Sequence, residues 1–138
     1  MPITFFPGAG MLLICDFSGF KEPEMVKKRP VVVISGRHRR DKLATIVPLS
    51  TTAPVPLHDH HHLMDAKSLP GPFAKKPTWA KCDMVATLSI SRLDRVMIRD
   101  PSGKRQYISP QITEEDFRSI LRGVLCAINL KALTGHVP

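Results

Sequence analysis

No apolar run in this 138-residue sequence approaches the roughly 20 residues that a helix needs to cross a membrane. The first residues also lack a basic segment followed by an apolar one, so the sequence predicts no signal peptide and, by default, a cytoplasmic protein. Hydrophobic residues make up 43% of the chain, which argues against disorder. The length suits a single domain over residues 1–138 and is too short for two ordinary ones.

Cysteine is scarce and Cys-x-x-Cys pairs are absent. The three cysteines, Cys15, Cys82 and Cys126, are far apart in the sequence. An odd number of widely spaced cysteines fits reduced thiols better than a disulfide framework. We therefore expect thiols packed in the core.

Acidic residues are outnumbered. The chain has 12 Asp and Glu against 20 Lys and Arg, which gives a formal net charge of +8 and a pI of about 9.8. Such a balance attracts polyanions and favours a nucleic-acid partner, with a merely soluble basic surface as the alternative.

Alternating strand and helix patterns are also missing, and short β-branched segments dominate instead. We predict strands at residues 11–17, 31–34, 43–49, 79–84, 85–90, 96–98 and 107–108. Many short strands without βαβ units indicate a mainly β (α+β) fold, built as a small, strongly bent sheet or barrel.

One helix is predicted at residues 114–130. Thr113 is the expected N-cap, Asp116 stands at the third helical position, and Ile112 precedes the cap where it can pack on Phe117. Apolar residues at helical spacing form a stripe for packing on the sheet: Phe117, Ile120, Leu121, Val124, Leu125 and Ile128. Gly135 is the expected terminator.

Two segments are predicted to be irregular, a lead-in at residues 1–9 and a long proline-rich excursion at residues 53–78. The excursion contains His58, His60, His61 and His62 together with Asp59 and Asp65. Imidazole and carboxylate groups can bind zinc, and alternation in an extended chain would bring His58, His60 and His62 to one side. Because adjacent histidines seldom all face one ion, we expect no metal here and predict an exposed loop, either RNA-contacting or simply polar.

A charged loop runs directly into the β-branched segment at residues 31–34. Pro30 can begin a strand, so Arg29 should lie at a strand entrance. Its guanidinium, backed by Lys27 and Lys28, either presents a planar donor fork to a phosphate or pairs with Glu24.

Basic side chains also crowd residues 36–42, between two predicted strands. This segment is either a solvated turn or a set of phosphate contacts, and we favour RNA phosphate contacts by Arg37, Arg39 and Arg40.

Two further polar groups follow predicted strands. Hydroxyl groups that can donate to phosphate or cap a turn come after residue 49: Ser50, Thr51 and Thr52. Alternation along residues 79–84 puts Lys81 and Asp83 on one side and turns Cys82 to the core. Such a pair suits an acid–base site, although a plain ion pair would give the same pattern.

Four segments, in the same order, resemble the PemK/MazF toxins of type II toxin–antitoxin systems. They are GMLLICDF at residues 10–17, Glu24 with RPVVVIS at 29–35, IVPLSTT at 46–52 and Lys81-Cys82-Asp83. The resemblance implies an SH3-like β-barrel with a C-terminal helix and a homodimer. It also implies an endoribonuclease that cuts single-stranded RNA without a metal or other cofactor, and a cognate acidic antitoxin as partner.

The resemblance also implies roles for matching residues. Arg29 would stabilise charge on the phosphorane, Asp83 would act as base, and Lys81 would stand where other members carry an arginine. Glu24 would orient the loop that bears Arg29, or share the base role. The hydroxyl groups would hold phosphate: Ser50, Thr51 and Thr52.

Three positions depart from the family pattern. Met11 and Pro23 replace a Glu and a His of some members, and Lys81 replaces an Arg. A lysine delivers a proton more readily than an arginine but loses the bidentate fork. Two alternatives therefore accompany the nuclease hypothesis: a CcdB-like module that targets gyrase, and an RNA-binding relative that has lost cleavage.

Overall fold

The computed structural model describes residues 2–36 and 41–138. Within these ranges the chain forms nine strands and one α-helix. They are β1 Leu12–Cys15, β2 Arg29–Val33, β3 Leu43–Ser50, β4 His61–Leu63, β5 Trp79–Lys81, β6 Ala86–Ser89, β7 Leu93–Asp94, β8 Val96–Arg99, β9 Arg105–Ile108 and α1 Glu114–Ala127. No helix in the described ranges has the length and apolar character needed to cross a membrane.

Seven strands form one antiparallel sheet. The hydrogen-bonded order is β4-β5-β3-β2-β1-β7, β6 also pairs with β3, and β8 and β9 form a separate hairpin. The predicted mainly β fold with a C-terminal helix is confirmed. In the part of the chain that the structure describes, the sheet does not close, so the expected barrel is instead an open sheet.

The predicted strand at residues 79–84 is wrong in its second half. β5 pairs with Leu49–Ser50 of β3, while β6 pairs with Leu43–Ile46 along the same edge. The chain must step between these two pairings, and it does so in the 3-10 turn Cys82–Met84. Asp83 therefore projects from a turn, not from a strand.

The β-branched run in β2 is buried on both sides of the sheet. Val31 and Val33 pack in one core with Leu13 and Ile46, whereas Val32 packs in a second core that includes Ile120 of α1. A strand that is covered on both faces needs apolar residues at consecutive positions, which explains its unbroken apolar sequence.

Helix α1 begins at Glu114, as predicted. The Thr113 hydroxyl accepts a hydrogen bond from the Asp116 N–H at 3.1 Å, and Ile112 and Phe117 share one core. The predicted apolar stripe is only partly right, because the residues that α1 buries most deeply are Asp116, Ile120 and Gly123.

The helix also ends earlier than predicted. Its last residue is Ala127, and Ile128 beyond it is 53% exposed. Asn129 adopts φ 68°, the left-handed conformation that commonly ends helices, so Asn129 takes the terminating role assigned to Gly135.

The excursion at residues 53–78 is more ordered than predicted. β4 adds to the sheet by pairing His61 with Lys81 and Leu63 with Trp79, and the 3-10 turns Ala66–Ser68 and Gly71–Lys75 follow it. Sequence pattern alone did not indicate β4 because its three residues gain their partner only from a strand beyond the prolines.

The Asp116 carboxylate anchors this excursion to the helix. It accepts hydrogen bonds from His62 Nε2 at 2.7 Å, from the Asp65 N–H at 3.0 Å and from the Ser68 hydroxyl, and it is only 3% exposed. A buried carboxylate with several donors is stable only while every donor keeps its acceptor.

We predict that Asp116→Ala lowers the free energy of unfolding by about 2–4 kcal/mol, because buried donors lose their acceptor. Urea denaturation monitored by circular dichroism would measure this loss. Glu115→Ala is the matched control, since Glu115 is an exposed carboxylate in the same turn, and it should change stability by less than about 0.5 kcal/mol. Equal stability of the two variants would contradict the anchoring role.

The cysteines are free, as predicted. Cys15 and Cys82 are buried in the two cores, and burial raises the pKa of each thiol to about 12. Cys126 on α1 is half-buried.

Candidate active site

One face of the sheet changes from apolar to polar where β2, β3 and β5 approach their ends. Val31 of β2 stands opposite Pro48 of β3, and Lys81 of β5 stands opposite His61 of β4. Because side chains alternate along a strand, Arg29, Lys81 and His61 belong to the face that carries Val31 and Pro48. β3 separates β2 from β5, and the register puts Lys81 level with Val31, two residues along from Arg29, so the backbones at Arg29 and Lys81 lie about 12 Å apart across the sheet.

Arg29 is the first residue of β2, at the strand entrance as predicted, but its side chain is half-buried. Its backbone pairs with Cys15, and its Nε is buried without a hydrogen-bond partner among the described residues. The described ion pairs do not join Arg29 to Glu24, the alternative that the sequence had left open. A buried N–H that lacks an acceptor is uncommon in native proteins and indicates a place where a ligand oxygen can bind.

A cavity of about 490 Å³ brings Arg29 together with two of the three predicted hydroxyl residues. Ser50 and Thr51 line it, and Lys75 and Lys76 from the end of the excursion line it too. Neither lysine was among the sequence-based candidates, although the Lys-Lys-Pro ending of the excursion was visible in the sequence. This cavity therefore combines cations and a hydroxyl donor, the groups that bind phosphate.

The three hydroxyl residues are not equivalent. Ser50 is only 6% exposed, and its hydroxyl accepts a hydrogen bond from the Thr52 N–H at 3.1 Å. Ser50 thus shapes the turn, while Thr51 and Thr52 are exposed to solvent.

A second cavity, of about 440 Å³, contains both candidate carboxylates. Glu24 and Asp83 line it beside apolar groups that include Phe17. A Glu24 carboxylate oxygen accepts a hydrogen bond from the Lys21 N–H at 3.2 Å, which holds the loop before β2 in place. A smaller cavity, of about 290 Å³, is lined by both Glu24 and Arg29, so the loop before β2 borders both the carboxylate cavity and the cation cavity.

Asp83 is exposed at the tip of its turn, and Cys82 beside it is buried in the core as predicted. Within the described ranges Asp83 makes no ion pair with Lys81. The ionisable side chain nearest to Asp83 among the described ion pairs is His60, whose Nε2 lies 3.5 Å from Asp83 Oδ2. The Asp83 carboxylate is thus free of the lysine pairing that the sequence had allowed.

The histidine run divides between the two faces of the sheet. His58, His60 and His61 form one ring cluster, with centroids 5.2 Å apart for His58 and His60 and 4.3 Å apart for His60 and His61. His62 lies on the opposite face with Asp116. The expected alternation of His58, His60 and His62 is wrong because a turn, closed by the His61 N–H to the His58 carbonyl, precedes β4.

The carboxylates of the run itself bond to groups other than these rings. Asp59 pairs with Lys131, and Asp65 accepts a hydrogen bond from the Lys67 N–H. His61 Nδ1 accepts a hydrogen bond from the His58 N–H at 3.0 Å, and burial, followed by the nearby His60, lowers the pKa of His61. His61 is therefore a neutral imidazole on the same face as Lys81.

Arg37, Arg39 and Arg40 lie outside the described residues, and their phosphate contacts stay a prediction from the sequence.

Comparison with known proteins identifies the family. The family model described as PemK-like, MazF-like toxin of type II toxin–antitoxin system matches residues 9–124. The chain belongs to the PemK/MazF toxin family. Among curated relatives, the Escherichia coli (strain K12) protein YifN is 29% identical over 153 aligned residues, which cover 96% of this chain and 99% of YifN.

Solved structures share the PemK/MazF fold. MazF from Deinococcus radiodurans superposes with a TM-score of 0.62 at 14% identity, over 91% of this chain and 98% of that one. A mycobacterial endoribonuclease, solved in complex with its cognate antitoxin, gives a TM-score of 0.59 at 20% identity, over 90% of this chain and 96% of that one.

Two departures from the PemK/MazF pattern have different locations. Met11 is buried in the core and its backbone bridges to Gln111, so this position is structural here. Pro23 lines the cavity that contains Glu24 and Asp83. The first substitution thus lies away from the site, whereas the second shapes its wall.

Proposed function

We propose that this protein is the toxin of a type II toxin–antitoxin system and acts as a metal-independent endoribonuclease on single-stranded RNA. The observation that carries the proposal is the Arg29 guanidinium. Arg29 belongs to the family segment, lines a cavity with Ser50, Thr51 and two lysines, and has a buried Nε–H without an acceptor. A phosphate oxygen would supply that acceptor and neutralise the positive charge of the cavity.

The reaction uses the 2′-hydroxyl group of the RNA as nucleophile. Asp83 accepts the proton of that hydroxyl, and the 2′ oxygen forms a new bond to phosphorus. Arg29 stabilises the charge that develops on the phosphorane oxygens. The bond from phosphorus to the 5′ oxygen then breaks, and the Lys81 ammonium gives that oxygen a proton. The products are a 2′,3′-cyclic phosphate and a free 5′-hydroxyl group.

Glu24 has a positioning role in this scheme. Its hydrogen bond to the Lys21 N–H fixes the loop that lies between the two cavities. Thr51, which lines the cavity with Arg29, and the exposed Thr52 beside it hold the neighbouring phosphate with the lysines.

The net charge of +8 also suits the second partner that the family implies, an acidic antitoxin. An antitoxin that covers the cationic cavity would exclude RNA by occupying the same surface. We include a homodimer in the proposal, as the family resemblance implies.

Incubation of chelator-treated protein with a long single-stranded RNA tests the function. We expect cleavage in the presence of EDTA and fragments that end in 2′,3′-cyclic phosphate. RNA that is bound but intact would support the binding relative without cleavage, and intact RNA together with gyrase inhibition would support the CcdB-like alternative.

We predict that Arg37→Ala/Arg39→Ala/Arg40→Ala weakens RNA binding nearly uniformly across sequences. Fewer phosphate contacts release fewer counterions, so the dependence of affinity on salt concentration should become shallower. Fluorescence anisotropy at several salt concentrations measures both effects. A changed cleavage motif at unchanged affinity would instead show that these arginines contact bases.

A further inference from the structure

Three metal-ligand side chains converge at the edge of the candidate active site. His60, His61 and Asp83 each place one potential ligand atom within 4.8 Å of the others. The histidines come from the start of β4 and the carboxylate from the turn after β5, so only the folded chain brings them together. The expectation of no metal considered only the histidine run and its own carboxylates, and it did not include Asp83.

The spacing of these atoms suits a tetrahedral ion. His60 Nε2 and Asp83 Oδ2 are 3.5 Å apart, which is longer than an ordinary hydrogen bond. Two ligands at zinc bond lengths of about 2.0–2.1 Å in a tetrahedral shell lie about 3.3–3.4 Å apart. The pair is therefore close to the separation that zinc requires without being engaged in a short hydrogen bond.

The third ligand is chemically suited as well. A zinc-bound histidine is neutral and coordinates through an unprotonated nitrogen. Nδ1 of His61 is unprotonated, because it accepts the His58 N–H. Coordination through Nδ1 would release that N–H, which belongs to an exposed residue and can bond to water instead.

Close packing holds the two ligand-bearing segments in place. Gly123 of α1 packs against both segments so closely that a larger residue would not fit. A Cβ atom added at Gly123 would lie only 2.6 Å from Cys82 Sγ and 3.0 Å from the His60 carbonyl oxygen. The pairing of His61 with Lys81 fixes the same segments from the sheet side. Ligands that are held in advance lose little conformational freedom when an ion binds.

We propose that His60, His61 and Asp83 bind one Zn²⁺ ion, and that this ion inhibits RNA cleavage by occupying the Asp83 carboxylate. Two imidazoles and one carboxylate favour zinc over Mg²⁺, which prefers oxygen ligands. The inhibitory part rests on the proposed function, because a zinc-bound carboxylate cannot accept the 2′-hydroxyl proton. Zinc binding itself does not depend on the proposed function.

Zinc binding is tested on the full, chelator-treated chain without RNA. Titration of ZnCl₂ by calorimetry, with MgCl₂ as the comparison metal, should give one zinc per chain. His60→Ala, His61→Ala and Asp83→Asn should each weaken zinc affinity about tenfold or more, since even outer-shell changes cost about 10–100-fold. His136→Ala is the matched control, because it removes an exposed histidine from the C-terminal turn and should bind zinc like the wild type. Circular dichroism would verify that each variant is folded.

Absence of stoichiometric zinc, or unchanged zinc affinity in His60→Ala and His61→Ala, would overturn the site.

Inhibition is then measured as the RNA cleavage rate with zinc divided by the rate of the same protein without zinc. We expect zinc to inhibit the wild type and His136→Ala, and to require about tenfold more metal in His60→Ala. One zinc bound with undiminished cleavage would overturn the inhibition, and unchanged zinc affinity in Asp83→Asn would overturn Asp83 as a ligand. Zinc binding by a protein that cuts no RNA would refute the nuclease and leave the metal site standing.

Discussion

Arg29→Ala should reduce RNA cleavage by about a hundredfold or more, because loss of one preorganised donor to a developing charge costs that much in other enzymes. The fold should survive the change. The guanidinium is half-buried, but its Nε has no hydrogen-bond partner among the described residues, so the substitution breaks no described bond at that atom. Single-turnover cleavage of a labelled RNA, together with a thermal melt, measures both quantities.

Arg118→Ala is the matched control for this experiment. Arg118 lies on α1 and donates a hydrogen bond to Glu114 one turn away. Its replacement by alanine removes one positive charge, as Arg29→Ala does. Its removal should leave the cleavage rate within about twofold, since a surface pair on a helix contributes little. Wild-type cleavage by Arg29→Ala with an unchanged melting temperature would show that the site has been placed wrongly.

Asp83→Asn should lower the cleavage rate by about 10²–10⁴-fold, the usual contribution of a general base. Asparagine preserves the shape of the side chain but cannot take a proton. Asp83 is exposed and His60 Nε2 is 3.5 Å away, so stability should change by less than about 0.5 kcal/mol. The affinity for uncut RNA should fall little, which would separate loss of chemistry from loss of binding.

Glu24→Gln distinguishes the two carboxylates that share one cavity. Glutamine retains an oxygen that can accept the Lys21 N–H, so the loop should keep its position and the variant should remain active. A loss in Glu24→Gln as large as the loss in Asp83→Asn would mean that the carboxylates share the base role. Loss in Glu24→Gln alone would transfer the role to Glu24.

Local patterns predicted much of the fold. The apolar run of β2 and the Thr113 cap of α1 depend on neighbouring residues only, and both occur where the sequence placed them. The family segments likewise led to Arg29, Ser50 and Asp83. These features are readable because alternation, propensity and capping act over a few residues.

Features that depend on distant partners were missed. β4 exists because Trp79–Lys81 supplies its hydrogen bonds, and His62 faces inward because Asp116 on the helix accepts a hydrogen bond from its Nε2. β5 ends before Cys82 because β5 and β6 pair with different parts of the same edge of β3. No local pattern reports such competition for an edge, and the position of Asp83 follows from it.

The open sheet also changes how the site is understood. The sequence placed Lys81 and Asp83 side by side on one strand, whereas the turn separates their directions and places Asp83 with Glu24 in a cavity. Lys75 and Lys76 approach Arg29 only because the excursion folds back over the end of β3. The cationic cavity is thus a product of tertiary structure.

The most direct test of RNA cleavage by 2′-hydroxyl attack uses two matched single strands. One is all RNA, and the other carries a single 2′-deoxy nucleotide on the 5′ side of the mapped cleavage site. With chelator-treated protein, we predict equal binding of both strands, cleavage of the first to a 2′,3′-cyclic phosphate, and no cleavage of the second at that position. Cleavage of the deoxy-substituted strand at the same bond would contradict the proposed mechanism, because a nucleophile other than the 2′-hydroxyl group would then have attacked the phosphate.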